Sequence, residues 1–320
     1  MNKTVMKLHG FIDLHTHGIG RYDTRTKNPE QILKMAELHG KAGTSAILPT
    51  IYSGPIGVMR DNMDAVRKAM EIQQGTISRL GPAVKRRTTA WEAPSIIIGV
   101  HLEGPFLNPL RCGALDKGCF IKPTLSSLKT LIAGHENIVK TITIAPEIPG
   151  ALRVVEKCVS VGITVNMGHS DATYRQAVDG KMAGATGITH LFNAMRPLHH
   201  REPGLAGFGL LDEDIFIEVI ADGVHLHPET IRLIFRVKNG DRVVLVSDSV
   251  KGAGGRGKGI YTAKGTLAGS GRTISHSTKV LARIGITTEE ILRAAVYNPW
   301  RLLTKKSISG NLNFPLKPPM

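Results

Sequence analysis

Short runs of β-branched and other apolar residues recur along the chain, separated by longer stretches with the amphipathic pattern of helices. The runs predict eight strands, at residues 11–14, 45–49, 95–100, 139–144, 163–166, 187–189, 215–220 and 242–246. The intervening stretches predict helices, among them 29–40, 56–74 and 287–296. The first is opened by Asn28 as N-cap with Pro29 at the first helical position. Strand and helix in alternation imply βα units and a parallel sheet. Several strands are nearly all apolar, as expected where both faces are buried. Eight such units favour an α/β fold of the TIM type, a closed (β/α)8 barrel, although a doubly wound open sheet yields a similar string.

Two stretches interrupt the alternation. Residues 76–94 are polar, basic and irregular, and they delay the third strand. Residues 251–271, KGAGGRGKGIYTAKGTLAGSG, are glycine-rich and directly follow the eighth. They match neither the P-loop nor the dinucleotide-binding glycine spacing, so a loop or short hairpin over the barrel mouth is expected.

Bulk properties narrow the picture. A barrel takes about 250 residues and tolerates insertions, so the 320 residues are expected to form one barrel domain over 1–320. No apolar run reaches the about 20 residues that cross a bilayer, and the first residues lack the apolar core and cleavage site of a secretory signal. Cys112, Cys119 and Cys158 are odd in number and irregularly spaced. That argues against a disulfide framework and fits a reducing cytoplasm, with no membrane partner. The net charge is +15, but the basic residues are dispersed. The densest group, Lys85, Arg86 and Arg87, lies in a loop-like segment without interleaved aromatics, so a solvated surface is expected and a nucleic-acid partner is not.

The chemistry is concentrated where the strands end. His15 and His17 lie in DLHTH after the first strand, and Glu103 in GVHLEGP after the third. His169 follows the fifth in NMGHSD, His190 ends the sixth in ITHLFN, and Asp248 follows the eighth in VLVSDS. The C-terminal ends of barrel strands are where TIM-barrel active sites are assembled. Residues two apart on a strand face the same side, so His15 and His17 can grip one ion. An H-x-H pair alone is weak evidence. With two carboxylates and two further imidazoles at matched strand ends, it points to a divalent metal: zinc first, with iron or manganese as alternatives. Three protein ligands and an open position leave room for an activated water. His225, in IADGVHLHP, is placed to polarise a substrate, with a satisfied loop histidine an equal alternative. Arg201, in PLHHREPG, is the best candidate to hold an anionic group through its guanidinium fork. His199 and His200 read as surface residues, and His9, His39, His101, His135 and His276 as structural.

Together these segments resemble the amidohydrolase superfamily, and within it the N-acetylglucosamine-6-phosphate deacetylases. The resemblance runs in order through GFIDLHTHG, GVHLEGPFLNP, GHSDATY, THLFNAM, HREPGLAG, IADGVH, SDSV, GTLAGS and a closing NPWRLL. It implies hydrolysis of the N-acetyl group of a phosphorylated amino sugar by a metal enzyme holding one or two ions, commonly as a homodimer. Glu103, His169 and His190 match the family's main metal ligands, and His15 with His17 match the pair that supports a second ion. Asp248 looks like the aspartate that takes the proton of the attacking water and returns it to the leaving amine. His225 is similar to the histidine that polarises the acetamide carbonyl. Asn193, Ala194, Arg201, Asp222, Gly223, Val224, His225, Leu267, Ala268 and Gly269 match positions lining the substrate.

The resemblance has three departures. Nine residues precede GFIDLHTHG and the tail SISGNLNFPLKPPM lacks closing strands, so a barrel without most of the family's accessory β-sandwich is expected. Leu115, in RCGALDKG, occupies a substrate-lining position where the family often carries His or Gln. The mouth loop after Asp248 is also shorter than usual. The alternatives are a deacetylase for the galactosamine epimer, another amidohydrolase, or a non-catalytic sugar-phosphate-binding barrel.

Overall fold

The computed structural model describes residues 10–80, 93–255 and 259–304. The basic group at Lys85–Arg87, both termini and part of the glycine-rich stretch lie outside these residues. Eight strands follow in chain order: β1 (Phe11–Thr16), β2 (Thr44–Tyr52), β3 (Val100–Glu103), β4 (Val139–Ile144), β5 (Thr164–Met167), β6 (Gly187–Ile188), β7 (Phe216–Ile220) and β8 (Val243–Val246). Each pairs in parallel with the next, from β1 to β8. A helix follows each one: α1 (Pro29–Lys41), α2 (Ile56–Leu80), α3 (Leu125–Ile132), α4 (Ala151–Ser160), α5 (Tyr174–Met182), α6 (Gly204–Leu211), α7 (Pro228–Lys238) and α8 (Ile274–Arg283). The fold is the TIM-type barrel that the alternating pattern implies. Among the described residues, the only other sheets are two two-stranded hairpins, and no helix is long and apolar enough to cross a membrane.

Side-chain chemistry marks where the elements begin. Asn28 accepts from the Glu30 amide ahead of α1, with Pro29 at the first position. Thr173 and Gln176 form a reciprocal capping box on α5. The core lies between the barrel and its helices, where Ile32, Met35, Met59, Met63, Phe208 and Phe235 are fully buried.

The third strand departs from expectation. Residues 95–100 do not form one strand. Ile96–Ile97 pairs briefly with β2, and Gly99 breaks the run at φ 142 before β3 starts at Val100. A Cβ on Gly99 would come within 2.5 Å of the Ile138 carbonyl oxygen, so only glycine carries the chain round this corner. Glu103 is therefore the last residue of β3, not a residue beyond it. The helix expected at 56–74 runs on to Leu80. That at 287–296 is a short helix, Thr288–Leu292, passing through a π-turn at Arg293–Tyr297 into Asn298–Thr304. The glycine-rich stretch forms the expected hairpin, with Gly259–Tyr261 antiparallel to Leu267–Ser270.

Closure of the barrel runs through the ends of β8 and β1. The Asp248 amide donates to the His15 carbonyl (2.9 Å), and the His17 and Gly18 amides donate to the Ser249 carbonyl (2.8 and 2.9 Å). Below these, the buried Asp13 carboxylate accepts from the Ser247 amide (3.1 Å) and hydroxyl (2.5 Å). It also accepts from the His15 amide (3.3 Å). Burial pushes the Asp13 carboxyl up to about 6 against the pull of these donors. Replacing Asp13 with Ala leaves buried donors unpaired on both sides of the seam. It is expected to lower stability by about 2–4 kcal/mol in urea denaturation, and Asp13→Asn, which keeps one acceptor, by less.

Candidate metal and catalytic site

The polar residues singled out at the strand ends meet at one mouth of the barrel. His15 lies within β1, His17 one residue past it, and Glu103 ends β3. His169, His190 and Asp248 each sit two residues beyond their strands, at φ 47, 30 and 46. Residues other than glycine seldom adopt positive φ. Three strand ends held this way turn their side chains inward at a cost that the surrounding structure sustains, a pattern that clusters at functional sites.

Glu103 is the hub. Its Oε1 lies 3.1 Å from His169 Nε2, 3.1 Å from His190 Nε2 and 3.4 Å from His15 Nε2. Its Oε2 lies 3.3 Å from His17 Nε2. Asp248 Oδ1 is 3.5 Å from Nε2 of both His15 and His17. Three buried groups of potential ligand atoms result: Glu103 with His169 and His190, His15 with His17 and Asp248, and, behind His15, His15 with His101 and Glu218. The first two hold the strand-end residues.

The outer nitrogens fix which atoms face inward. His17 Nδ1 faces the Thr50 carbonyl (3.0 Å) and His169 Nδ1 the Arg111 carbonyl (2.9 Å). A carbonyl only accepts, so each Nδ1 donates and each neutral Nε2 carries a lone pair. His15 Nδ1 faces the Glu218 carboxylate (3.1 Å), with the same consequence. In the neutral form that ligates a cation, the Nε2 atoms of His15 and His17, 3.2 Å apart, turn lone pairs toward each other and toward carboxylate oxygens. Without a cation, burial disfavours charge on His15, but the carboxylates of Glu103, Glu218 and Asp248 outweigh it and favour a proton there. Such a set of acceptors is stable around a cation, and the donor set of imidazole nitrogen and carboxylate oxygen suits zinc, iron or manganese. The residues fit the metal.

Glu218, the acidic residue of β7, escaped the sequence reading. The available signal was a carboxylate in the otherwise apolar FIEVI, since buried carboxylates are rare unless paired. Tyr52 also went unnoticed. Its ring stacks on His17 at 3.8 Å, with the Arg25 guanidinium 4.3 Å from the Tyr52 centroid.

His225 stands close by with its Nδ1 on Asp222 Oδ2 (2.9 Å), while Asp222 Oδ1 accepts from the amides of Val224 and His225. Burial disfavours the charged imidazole, but the Asp222 bond and the charges of Asp222 and Asp248 outweigh it and raise His225 above its usual range. With Nδ1 committed, Nε2 is the nitrogen left to face a ligand. The hairpin packs on this loop, since Gly259 sits between Leu267 and Val224. Leu267 and Ala268 are half-buried, Gly269 is buried and Gly223 is exposed.

Other expected substrate residues are placed less directly. Asn193 spends its amide on the carbonyls of His190 (3.3 Å) and Leu191 (3.2 Å), bracing the His190 turn. Ala194, at φ 49, follows in the same turn. Leu115 is half-buried on the loop after β3. Arg201 is exposed, and its described hydrogen bonds reach only His199 and His200, so the structure does not join it to the cluster. His101 lies below His15, bonded to Thr143 (2.8 Å) and the Leu14 carbonyl (3.3 Å).

The profile of the Amidohydrolase family matches residues 6–312. The chain belongs to the amidohydrolase family. Among its relatives are an N-acetylgalactosamine-6-phosphate deacetylase of Escherichia coli O157:H7, 31% identical over 94% of this chain and 79% of that one, and an N-acetylglucosamine-6-phosphate deacetylase of Lysinibacillus sphaericus, 30% identical over 91% and 74%. The crystal structure of the Thermotoga maritima N-acetylglucosamine-6-phosphate deacetylase superposes with TM-score 0.79 at 29% identity, covering 92% of this chain and 78% of that one. A mutant of the Mycobacterium smegmatis enzyme in complex with N-acetyl-D-glucosamine-6-phosphate gives 0.78 at 29%, covering 92% and 77%. The amidohydrolase family is metal-dependent, in agreement with the two ligand sets here.

A cation bound only by the folded chain stabilises it by mass action. Restoring zinc to chelator-treated protein, at about a thousandfold over Kd, is expected to raise stability by about 4 kcal/mol in calorimetry. Glu103→Gln, which removes the carboxylate charge facing all four imidazoles, is expected to abolish most of that gain.

Proposed function

We propose that the chain hydrolyses the N-acetyl group of N-acetyl-D-glucosamine 6-phosphate, releasing acetate and glucosamine 6-phosphate. The observation that carries this reading is the convergence of Glu103, His169, His190, His15, His17 and Asp248 on one mouth, beside the His225–Asp222 pair. The relatives named for this reaction support the substrate. Glu103, His169 and His190 would hold one divalent cation, and His15, His17 and Asp248 a second, with zinc the first choice over iron or manganese. The bound cation supplies Lewis acidity, lowering the pKa of a water toward neutrality and polarising the acetyl carbonyl.

The chain's own groups do the rest. Asp248 accepts the proton of the attacking water and delivers it to the sugar nitrogen as the C–N bond breaks. Protonated His225 donates from Nε2 to the carbonyl oxygen as negative charge develops there. Asn193, Ala194, residues 222–225 and residues 267–269 line the sugar, Leu115 meets it with an apolar face, and Arg201 takes the phosphate. The reading places the enzyme in the cytoplasm as a homodimer, following cysteine usage and the family resemblance. The E. coli relative supports a second reading, the galactosamine epimer as substrate.

Acetate release from N-acetylglucosamine and N-acetylgalactosamine, each with and without the 6-phosphate, tests the proposal. Turnover that depends on phosphate and prefers the gluco epimer is expected, and equal turnover of unphosphorylated sugars would refute it. Asp248→Asn is expected to lower kcat by several orders of magnitude while leaving a cation at Glu103, His169 and His190, as checked by elemental analysis. Because Asp222 holds His225 protonated to higher pH, activity should fall as pH rises through the His225 pKa. Asp222→Asn removes that support, so the alkaline limb of the kcat/KM profile should move to lower pH.

A further inference from the structure

The four histidines at the mouth are backed differently. His17 and His169 lean on neutral carbonyls of Thr50 and Arg111, and His190 Nδ1 has no hydrogen-bond partner among the described residues. His15 alone is backed by an anion, the Glu218 carboxylate at 3.1 Å, itself 1% exposed. The other carboxylate oxygen accepts from Asn166 Nδ2 at 2.8 Å, so both ends of Glu218 are fixed. Gly187 makes room for this arrangement, because a Cβ there would fall 2.1 Å from Asn166 Oδ1. The chain Asn166–Glu218–His15 thus crosses the lumen from β5 through β7 to β1 and ends at His15, which groups with His17 and Asp248 rather than with His169 and His190.

We propose that Glu218 is a positioning residue for the second cation. It holds the His15 Nδ1–H inward, so that Nε2 offers its lone pair at the set formed with His17 and Asp248. Occupancy of that set then depends on Glu218, whereas occupancy of the Glu103, His169 and His190 set does not. The inference rests on the two-cation reading above. A carboxylate behind a ligating imidazole both fixes the tautomer and raises its basicity, and loss of such a partner typically costs roughly 10–100-fold in metal affinity.

The test counts metal and needs no turnover. Chelator-stripped native protein, Glu218→Leu and Glu218→Gln are titrated with Co2+ by equilibrium dialysis, elemental analysis and visible absorption. Native protein is expected to take two equivalents. Glu218→Leu should keep one with near-native affinity, and the retained equivalent also reports that the mouth is folded. Glu218→Gln can still accept from His15 through its amide oxygen, and once the Asn166 amide flips, its NH2 donates to Asn166 Oδ1 in place of the native bond from Nδ2, so it should take two, the second about tenfold weaker. Two equivalents at native affinity in both variants would overturn the proposal and leave the two-cation reading standing. A single equivalent in native protein would overturn both.

Discussion

Convergent lone pairs set the terms for this structure. Glu103 is ringed by four imidazole Nε2 atoms at 3.1–3.4 Å. At least three of these rings have their outer nitrogens committed to acceptors, so no rotation of those rings relieves the crowding. In a buried, water-poor setting such a ring of acceptors is costly unless positive charge enters it. The cluster is therefore built for cations, and its neighbourhood follows from holding it in that form. Positive φ at His169, His190 and Asp248, a carboxylate behind His15 and carbonyls behind His17 and His169 all serve one end. They keep lone pairs aimed at a point.

Barrel closure and site assembly are the same event at one position. The Asp248 amide bonds to the His15 carbonyl, closing β8 on β1 just where each contributes a side chain to the mouth. Asp13 and Ser247 sit one step below, and the Asp13 carboxylate also reaches the His15 amide. The separation between Asp248, the proposed proton carrier, and the H-x-H pair is thus a property of the strand seam. A rigid separation matters because positioning errors of about 1 Å are expensive in catalysis.

Much of this was legible in the sequence, and the gaps have physical causes. Eight alternating units announced the barrel, and the placement of His15, His17, His169, His190 and Asp248 near strand ends predicted a shared mouth. Strand β3 was misplaced because residues 95–100 are apolar enough for a strand, and the backbone corner at Gly99 depends on the Ile138 carbonyl just ahead of β4, which no local pattern records. Glu218 and Tyr52 were missed for a related reason. Their roles come from partners far away in the chain, His15 for one and His17 for the other. Arg201 stood out for its place in PLHHREPG and its guanidinium fork, and its described bonds reach only the adjacent His199 and His200.

On the proposed assignment, metal and substrate chemistry fall to different layers of the molecule. The ligands lie on or within two residues of barrel strands, whereas the residues expected to touch sugar lie on loops that hold one another. Val224 and Leu267 close around Gly259, and Asn193 braces its own turn. Arg111 and Arg196 share Asp171, tying the loops after β3, β5 and β6 together. The link between the layers is narrow: the Arg111 carbonyl that orients His169 belongs to the same loop as Leu115. Changes such as leucine at position 115 can therefore alter the surface met by the sugar while the strand-borne ligand set stays as it is. Substrate preference can drift within this architecture so long as the Arg111 carbonyl keeps its place behind His169.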